Sequence, residues 1–141
     1  MADFDNDGLN DAVTANQFTL TGTVSFLRGK AGEDGKGTGT FFPKVDYSTV
    51  GPDGSGSPSS VATADLNHDG LLDLVVANED DSNVAVLLGQ TGGTFSAPVA
   101  PLPDVGAAPR SVALGDVDID GNIDVFLINS RKICLDEKMV F

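Results

Sequence analysis

The residues of this chain that could do chemistry are acidic side chains that recur at a fixed spacing in three short loops. The pattern is Asp-x-Asp/Asn-x-Asp-Gly-x-x-Asp, and its copies begin at Asp3, Asp65 and Asp116, which are 62 and 51 residues apart. Eleven of the 18 Asp residues lie within the 27 positions of these loops, whereas Glu occurs only three times in the chain. Carboxylates packed this closely repel one another, so a bound cation would be expected to neutralise them.

The spacing within each loop predicts a calcium site. Calcium accepts about six to eight oxygen ligands in flexible geometry, whereas magnesium demands tighter octahedral geometry and retains its water. Positions one, three and five would supply side-chain oxygens, position seven its backbone carbonyl, and the Asp at position nine would complete the shell. Gly at position six would allow a sharp turn because it tolerates positive φ. The predicted ligands are Asp3, Asp5, Asp7, Leu9 and Asp11; Asp65, Asn67, Asp69, Leu71 and Asp73; and Asp116, Asp118, Asp120, Asn122 and Asp124.

Other known calcium loops fit the pattern less well. The EF-hand needs an acidic closing ligand at position twelve, and dockerin and thrombospondin type 3 loops need one there as well. Position twelve here is Thr14, Val76 or Leu127, and the flanking residues are strand-like rather than helical. We therefore expect three calcium sites of another type. Asp3 lies two residues from a chain end that is expected to fray, so the first site could be incomplete.

The elements that must position these loops are predicted to be short strands in an internal repeat. Residues 60–78 and 111–129 align without a gap, and residues 2–16 form a third copy. Runs of β-branched and apolar residues are bounded by Gly, Asn and Asp, and no helical periodicity is sustained. The sequence predicts an all-β chain. We place the repeats at about 1–50, 58–103 and 108–141, in one array that spans residues 1–141.

The middle copy is predicted to contain four strands, and the outer copies fewer. The predicted strands are residues 12–17, 23–28 and 40–47; 60–64, 73–78, 83–89 and 94–99; and 110–114 and 124–129, followed by a divergent tail at 130–141. The segments 29–39 and 51–60 are rich in Gly, Ser and Pro, and we predict that both are loops. Phe26, Phe41, Phe42 and Phe95 are predicted to lie in the core between the repeats.

The loops, together with the strand sequences LDLVVAN and NVAVLLG, resemble FG-GAP/VCBS repeats. Those repeats build the β-propeller of integrin α chains and of many bacterial surface proteins. Residues 93–98 are similar to the FG-GAP signature, and residues 39–43 resemble it less closely. The resemblance extends to Asn129 and implies four-stranded antiparallel blades, in which a calcium loop joins the first two strands. The metal would then be structural rather than catalytic.

The number of blades predicts how the chain associates. A β-propeller contains about four to eight blades, whereas this chain offers one complete blade and two partial ones. Partial blades expose strand edges and an apolar face. We therefore expect self-association through the partial blades, or packing against the remaining blades of a longer chain. A protein or a glycan is the candidate ligand.

Charge and hydropathy exclude several classes of function. The net charge of −13 argues against binding to nucleic acid or to an anionic membrane surface. No apolar run approaches the ~18 residues of a membrane-spanning helix, and no signal peptide is recognisable. The availability of calcium outside cells and the family resemblance favour an extracellular or cell-surface location.

The sequence therefore predicts a non-catalytic, calcium-binding β-propeller module with a structural, adhesion or protein-interaction role. One alternative is a lectin-like propeller formed on oligomerisation. Sugar sites usually stack a sugar on an aromatic ring, and the chain has no Trp and a single Tyr, Tyr47, which weakens this alternative. A polysaccharide-active enzyme would need paired carboxylates, but most Asp residues belong to the loops. The single Cys134 excludes an intrachain disulfide, and the single His68, expected to be solvated, argues against a His-based zinc site or triad.

Overall fold

The computed structural model describes residues 1–17, 21–50, 56–99, 108–129 and 133–135. Its regular elements are all strands, which confirms the all-β prediction. The strands are β1 (Ala12–Asn16), β2 (Thr23–Leu27), β3 (Gly29–Ala31), β4 (Gly37–Phe41), β5 (Val45–Ser48), β6 (Pro58–Ala64), β7 (Asp73–Asn78), β8 (Asn83–Leu87), β9 (Gly89–Gln90), β10 (Thr94–Phe95), β11 (Pro109–Gly115), β12 (Asp124–Asn129) and β13 (Ile133–Leu135). Within the described ranges, we find no helix with the length and apolar character needed to cross a bilayer.

Three antiparallel sheets of three strands carry the acidic loops. Their strand orders are β1-β2-β5, β6-β7-β8 and β11-β12-β13. In the second and third sheets the strands on either side of the loop pair in the same register, with Ala64 opposite Asp73 and Gly115 opposite Asp124. Both pairs also shift register after the Pro that begins the first strand. The gapless alignment of the two repeats thus corresponds to equivalent structure.

Two small hairpins, β3-β4 and β9-β10, follow β2 and β8. The prediction of a loop at residues 29–39 is therefore wrong for most of that segment. Its turn closes through hydrogen bonds from the Gly35 amide to the Gly32 carbonyl, and from the Gly32 amide to the Lys36 carbonyl. The prediction of one strand at residues 40–47 is also wrong, because β4 ends at Phe41 and β5 begins only at Val45. Pro43, which has no amide hydrogen to donate, lies in the gap.

The middle copy differs from the predicted four long strands. The segment 83–89 divides into β8 and the start of β9, and the segment 94–99 contains only the two residues of β10. Beyond β10, Val99 forms a single antiparallel bridge with Val86. The Ser96 hydroxyl accepts a hydrogen bond from the Leu88 amide, so a side chain replaces part of the backbone ladder.

Two further predictions fall partly outside the described residues. Of the predicted loop at residues 51–60, residues 51–55 are not described, and β6 already begins at Pro58. Of the tail, only Ile133–Leu135 is described, as a strand antiparallel to β12. The repeat boundaries stay predictions.

Two apolar clusters lie between the three sheets, one on each face of the middle sheet. Alternate side chains of β7 enter different clusters, and every residue of β7 is buried. The first cluster contains Phe4, Val24, Phe26, Leu74, Val76, Ala85, Leu87 and Phe95. The second contains Leu66, Val75, Ala77, Val84, Val86, Val112, Val125 and Leu127. Burial of the middle sheet on both faces holds the three sheets, and hence the three loops, in a fixed arrangement.

Aromatic rings fill the first cluster. Phe4, Phe26 and Phe95 contact one another edge to face, with ring centroids 5.6–5.8 Å apart. The prediction that Phe26 and Phe95 lie in the core is confirmed. It is wrong for Phe42, which is 43% exposed, while Phe41 is only partly buried. Phe4 was not predicted as a core residue, because it lies between Asp3 and Asp5 in an acidic loop, where exposed residues are expected.

Candidate metal sites

The first Asp of each loop organises the backbone of that loop. Both oxygens of Asp3 accept amide hydrogens, from Asp7 at 3.1 Å and from Gly8 at 2.8 Å. The equivalent bonds run from Asp69 and Gly70 to Asp65, and from Asp120 and Gly121 to Asp116. Because the same bonds form in all three copies, each loop coils tightly around its own acidic side chains.

Two positions in each loop adopt the left-handed backbone conformation. Position four has φ of 58–59° (Asn6, His68, Ile119), and position six has φ of 84–89° (Gly8, Gly70, Gly121). A Cβ added at any of these Gly residues would meet nothing within 4 Å. Gly is therefore needed for its φ and not for space, which confirms the predicted turn. His68 is exposed, as expected.

The Asp at position nine ties its loop to the rest of the sheet. Asp11 and Asp73 are fully buried. The two oxygens of Asp11 accept hydrogen bonds from the amides of Phe4, at 2.9 Å, and Gly29, at 2.8 Å. In the second and third loops, the same carboxylate accepts the position-two amide: Leu66 to Asp73 and Val117 to Asp124. The structure thus gives position nine a structural role in addition to the predicted ligand role.

Close approach of the chain at Gly29 and Gly89 makes these bonds possible. A Cβ at Gly29 would lie 2.7 Å from the Asn10 carbonyl oxygen, and a Cβ at Gly89 would lie 2.5 Å from that of Leu72. Sequence reasoning missed both residues. The sequence feature that could have revealed them is the Gly after the strand that follows each loop hairpin, in VSFLRG and VAVLLG.

Carboxylates converge in the first and third loops. One oxygen from each of Asp3, Asp5 and Asp11 lies within 4.8 Å of the others. The third loop brings together Asp116, Asp118 and Asp120 in the same way. Three anionic oxygens at this spacing suit a hard cation with oxygen ligands.

The second loop has the same internal hydrogen bonds with one charge fewer. Its Asn67 side-chain oxygen accepts the Asp69 amide at 3.1 Å, as Asp5 accepts the Asp7 amide at 3.2 Å. The residues at position seven donate their amides to the position-five carboxylates at 2.8–2.9 Å; they are Leu9, Leu71 and Asn122. Ligation of a metal by their carbonyls stays a prediction.

The surroundings of Asp5 in the first loop and of Asp73 in the second oppose the ionisation of these two acids. Burial raises the pKa of Asp5, the charges of Asp7 and Asp11 raise it further, and Arg28 opposes that rise. Burial also raises the pKa of Asp73, against the hydrogen bonds from the Gly89 and Leu66 amides. A raised pKa means that the ionised form is disfavoured, so a cation in the loop would relieve this cost.

One basic side chain reaches the first loop. Arg28 Nε lies 3.0 Å from Asp5 Oδ2, and Arg28 Nη2 lies 3.9 Å from Asp7 Oδ2. Sequence reasoning missed Arg28. The sequence feature that could have revealed it is a charged residue directly before Gly29. The second repeat has the apolar Leu88 at the same place, before Gly89.

The repeated loops and sheets match a known family. The model of the FG-GAP-like repeat matches residues 3–76 and residues 65–127. Each match starts at the first Asp of an acidic loop and ends in the strand that follows the next loop. The chain belongs to the FG-GAP-like repeat family. The predicted resemblance is confirmed, and the family supports a β-propeller-like repeat module. A search of curated proteins found no significant match to this FG-GAP-like chain.

Proposed function

We propose that this FG-GAP-like chain is a calcium-stabilised, non-catalytic module with a structural, adhesion or interaction role outside the cell. The observation that carries the proposal is the repeated loop geometry. In each copy, the Asp at position one accepts hydrogen bonds from two backbone amides. The residues at positions four and six adopt the left-handed backbone conformation. The first and second loops each also contain a carboxyl group, of Asp5 and Asp73 respectively, whose pKa is raised by burial. Ion binding would offset the repulsion and hold each loop in one conformation.

Calcium binding should therefore raise the stability of the folded chain. A ligand that binds only the folded state at about 100 times its Kd contributes roughly 2.7 kcal/mol per site. The experiment is a thermal melt in calcium, in magnesium and in chelator. We expect the highest Tm in calcium. An unchanged Tm in all three conditions would contradict the structural role.

Paired variants test whether the loops carry the effect. Asp69→Asn and Asp120→Asn each remove one charge while keeping an oxygen that accepts the loop amide. Asp80→Asn removes the same charge from an exposed acid outside the loops. The loop variants should reduce the Tm gain from calcium, and the control should retain it. Equal effects of all three variants would point to general charge screening instead.

An apolar face that no other described residue covers supports the interaction role. Leu66, Val75 and Ala77 of the second repeat are buried against the third sheet. The third repeat has Val117, Phe126 and Ile128 at the aligned positions, where Val117 is 65% exposed and Ile128 is 55% exposed. The continuity of this face with the two internal interfaces supports packing of another blade on it, and in purified protein a second copy would supply that blade.

The outer face of the first sheet is more polar than that of the third. Leu74, Val76 and Ala85 contact the first cluster from the second sheet, and the aligned residues of the first repeat are Ala12, Thr14 and Ser25. Ser25 donates a hydrogen bond to Asp46, as part of a polar network on this sheet. Association is therefore expected through the third sheet.

Light scattering after size exclusion tests this association, with calcium and with chelator. We expect a discrete oligomer that Val117→Ser combined with Ile128→Ser converts to monomer. Val45→Ser is the matched control, because Val45 is 50% exposed on the first sheet. A monomeric wild-type chain in both conditions would contradict self-association.

A further inference from the structure

Arg28 is a half-exposed cationic side chain at the edge of the proposed first metal site. Its guanidinium contacts Asp5, whose side chain is only 7% exposed, at 3.0 Å, and lies 3.9 Å from Asp7. Asp5 and Asp7 are two of the predicted ligands of the first loop. We propose that Arg28 is a tethered competitor of the metal ion, which lowers the calcium affinity of the first loop; this inference rests on the proposed calcium function.

Other contacts hold Arg28 against the loop. The Arg28 carbonyl accepts the Phe42 amide at 2.8 Å, and the guanidinium carbon lies 5.2 Å from the centroid of the Phe42 ring. The next residue, Gly29, donates its amide to Asp11 of the same loop. The guanidinium thus contacts both an aromatic ring and the carboxylates, and a planar donor fork of this kind pairs well with carboxylate oxygens.

The second repeat shows that the fold does not require this charge. Gly29 and Gly89 are equivalent, because each donates its amide to the position-nine Asp of its own loop. Arg28 therefore aligns with Leu88, which is partly buried beside the second cluster. The loop geometry is the same in both repeats, with Asp3 and Asp65 each accepting two amides. Arg28 consequently changes the charge at the first loop without being needed for its backbone.

A calcium ion in the first loop must share or displace this ion pair. Asp5 Oδ2 is engaged by Arg28, and Asp5 Oδ1 accepts the Asp7 amide. The positive charge of the guanidinium also repels a divalent cation at short range. In the third loop, the converging oxygens come from positions one, three and five, whereas in the first loop they come from positions one, three and nine. The site with Arg28 thus offers a different set of oxygens to an ion.

Calorimetric calcium titration of chelator-treated protein tests the proposal. The variants are Arg28→Leu, which installs the residue of the second repeat, and Arg28→Gln, which removes the charge but keeps a polar side chain. Arg110→Leu is the matched control. Arg110 Nε lies 3.1 Å from Glu79 Oε1, and this ion pair is outside the acidic loops. Each variant is also prepared with Asp69→Asn and Asp120→Asn, so that the first loop dominates the titration.

We expect both Arg28 variants to tighten calcium binding at the first loop roughly tenfold or more, as expected when a charge-assisted hydrogen bond no longer competes. The Arg110 control should bind like wild type. Unchanged binding, or loss of an ion in the Arg28 variants, would overturn the proposal while leaving the calcium function standing. Absence of calcium binding in wild type and in every variant would overturn the calcium function itself. If Arg28→Leu does not fold, Arg28→Gln decides between these outcomes.

Discussion

Asp73 accepts a hydrogen bond from the Gly89 amide at 2.7 Å, between residues 16 positions apart. Asp11 and Gly29 form the same bond at 2.8 Å in the first repeat. Each bond joins the last acidic residue of a loop to the chain that leaves the sheet after β2 or β8. Because Asp73 is fully buried, water cannot replace this bond. The ninth position of the acidic pattern therefore contributes to the folded structure independently of any cation.

We predict that Asp73→Asn destabilises the chain by about 2–3 kcal/mol even in chelator. The amide would offer one acceptor oxygen where two backbone amides now donate, and a buried unsatisfied amide costs roughly that amount. Urea unfolding measures the change, with Asp80→Asn as the exposed control. Equal stability of the two variants would show that the pair of bonds contributes little.

We predict that Gly89→Ala is strongly destabilising because its Cβ would lie 2.5 Å from the Leu72 carbonyl oxygen. At Gly115 a Cβ would meet nothing within 4 Å, and Gly115 ends a strand without a positive φ. Gly115→Ala should therefore be neutral or slightly stabilising. Thermal melts of the two variants compare them directly. A neutral Gly89→Ala would mean that the chain can move away from the loop without cost.

We predict that Ile119→Asn stabilises the chain by about 1 kcal/mol. Ile119 has φ of 59°, a conformation that strains a β-branched residue and that Asn tolerates. The first loop has Asn6 at the same position with φ of 58°, and Ile119 is 88% exposed, so little packing is lost. The measurement is Tm in chelator. A lower Tm would show that Ile119 makes contacts that outweigh its strain.

We predict that Asp46 contributes stability that is lost in acid. Hydrogen bonds from Lys44 and then Ser25 hold the pKa of Asp46 below its usual value. Since the folded pKa is the lower one, the contribution is present above the unfolded pKa of about 4. It disappears as the pH falls through the lowered folded pKa. Urea unfolding of metal-free protein from about pH 6 to about pH 2 should therefore show a smaller acid loss for Asp46→Asn than for wild type.

The direction is opposite for Asp73, which provides an internal comparison. Burial raises the pKa of Asp73, so its contribution to stability is greatest below the unfolded pKa and is lost as the pH rises through the folded pKa.

In the Asp46 experiment, Asp80→Asn serves as the control for removal of one charge. If Asp46→Asn has the same acid profile as wild type, the Lys44 and Ser25 hydrogen bonds do not favour the ionised form.

Local spacing was enough to predict the loops and the strands beside them. The turn at Gly70 depends on residues within the same loop, so the repeated pattern specifies its positive φ directly. The strand Asp73–Asn78 was predicted with the bounds that the structure has. Its continuous apolar sequence indicates burial, and β7 is indeed buried on both faces. The Gly-rich hairpin β3-β4 was missed because flexible composition does not reveal which segments will pair.

The sequence by itself determined the all-β class, the repeat family and the acidic loops, because these follow from contacts between residues close along the chain. Only the tertiary structure brought Arg28 to Asp5, Gly29 to Asn10, and Phe4 into the core between sheets. Those contacts join separate strands and loops, and they form only when the sheets stack. Their distances therefore depend on how the whole chain packs, which local residue types do not specify.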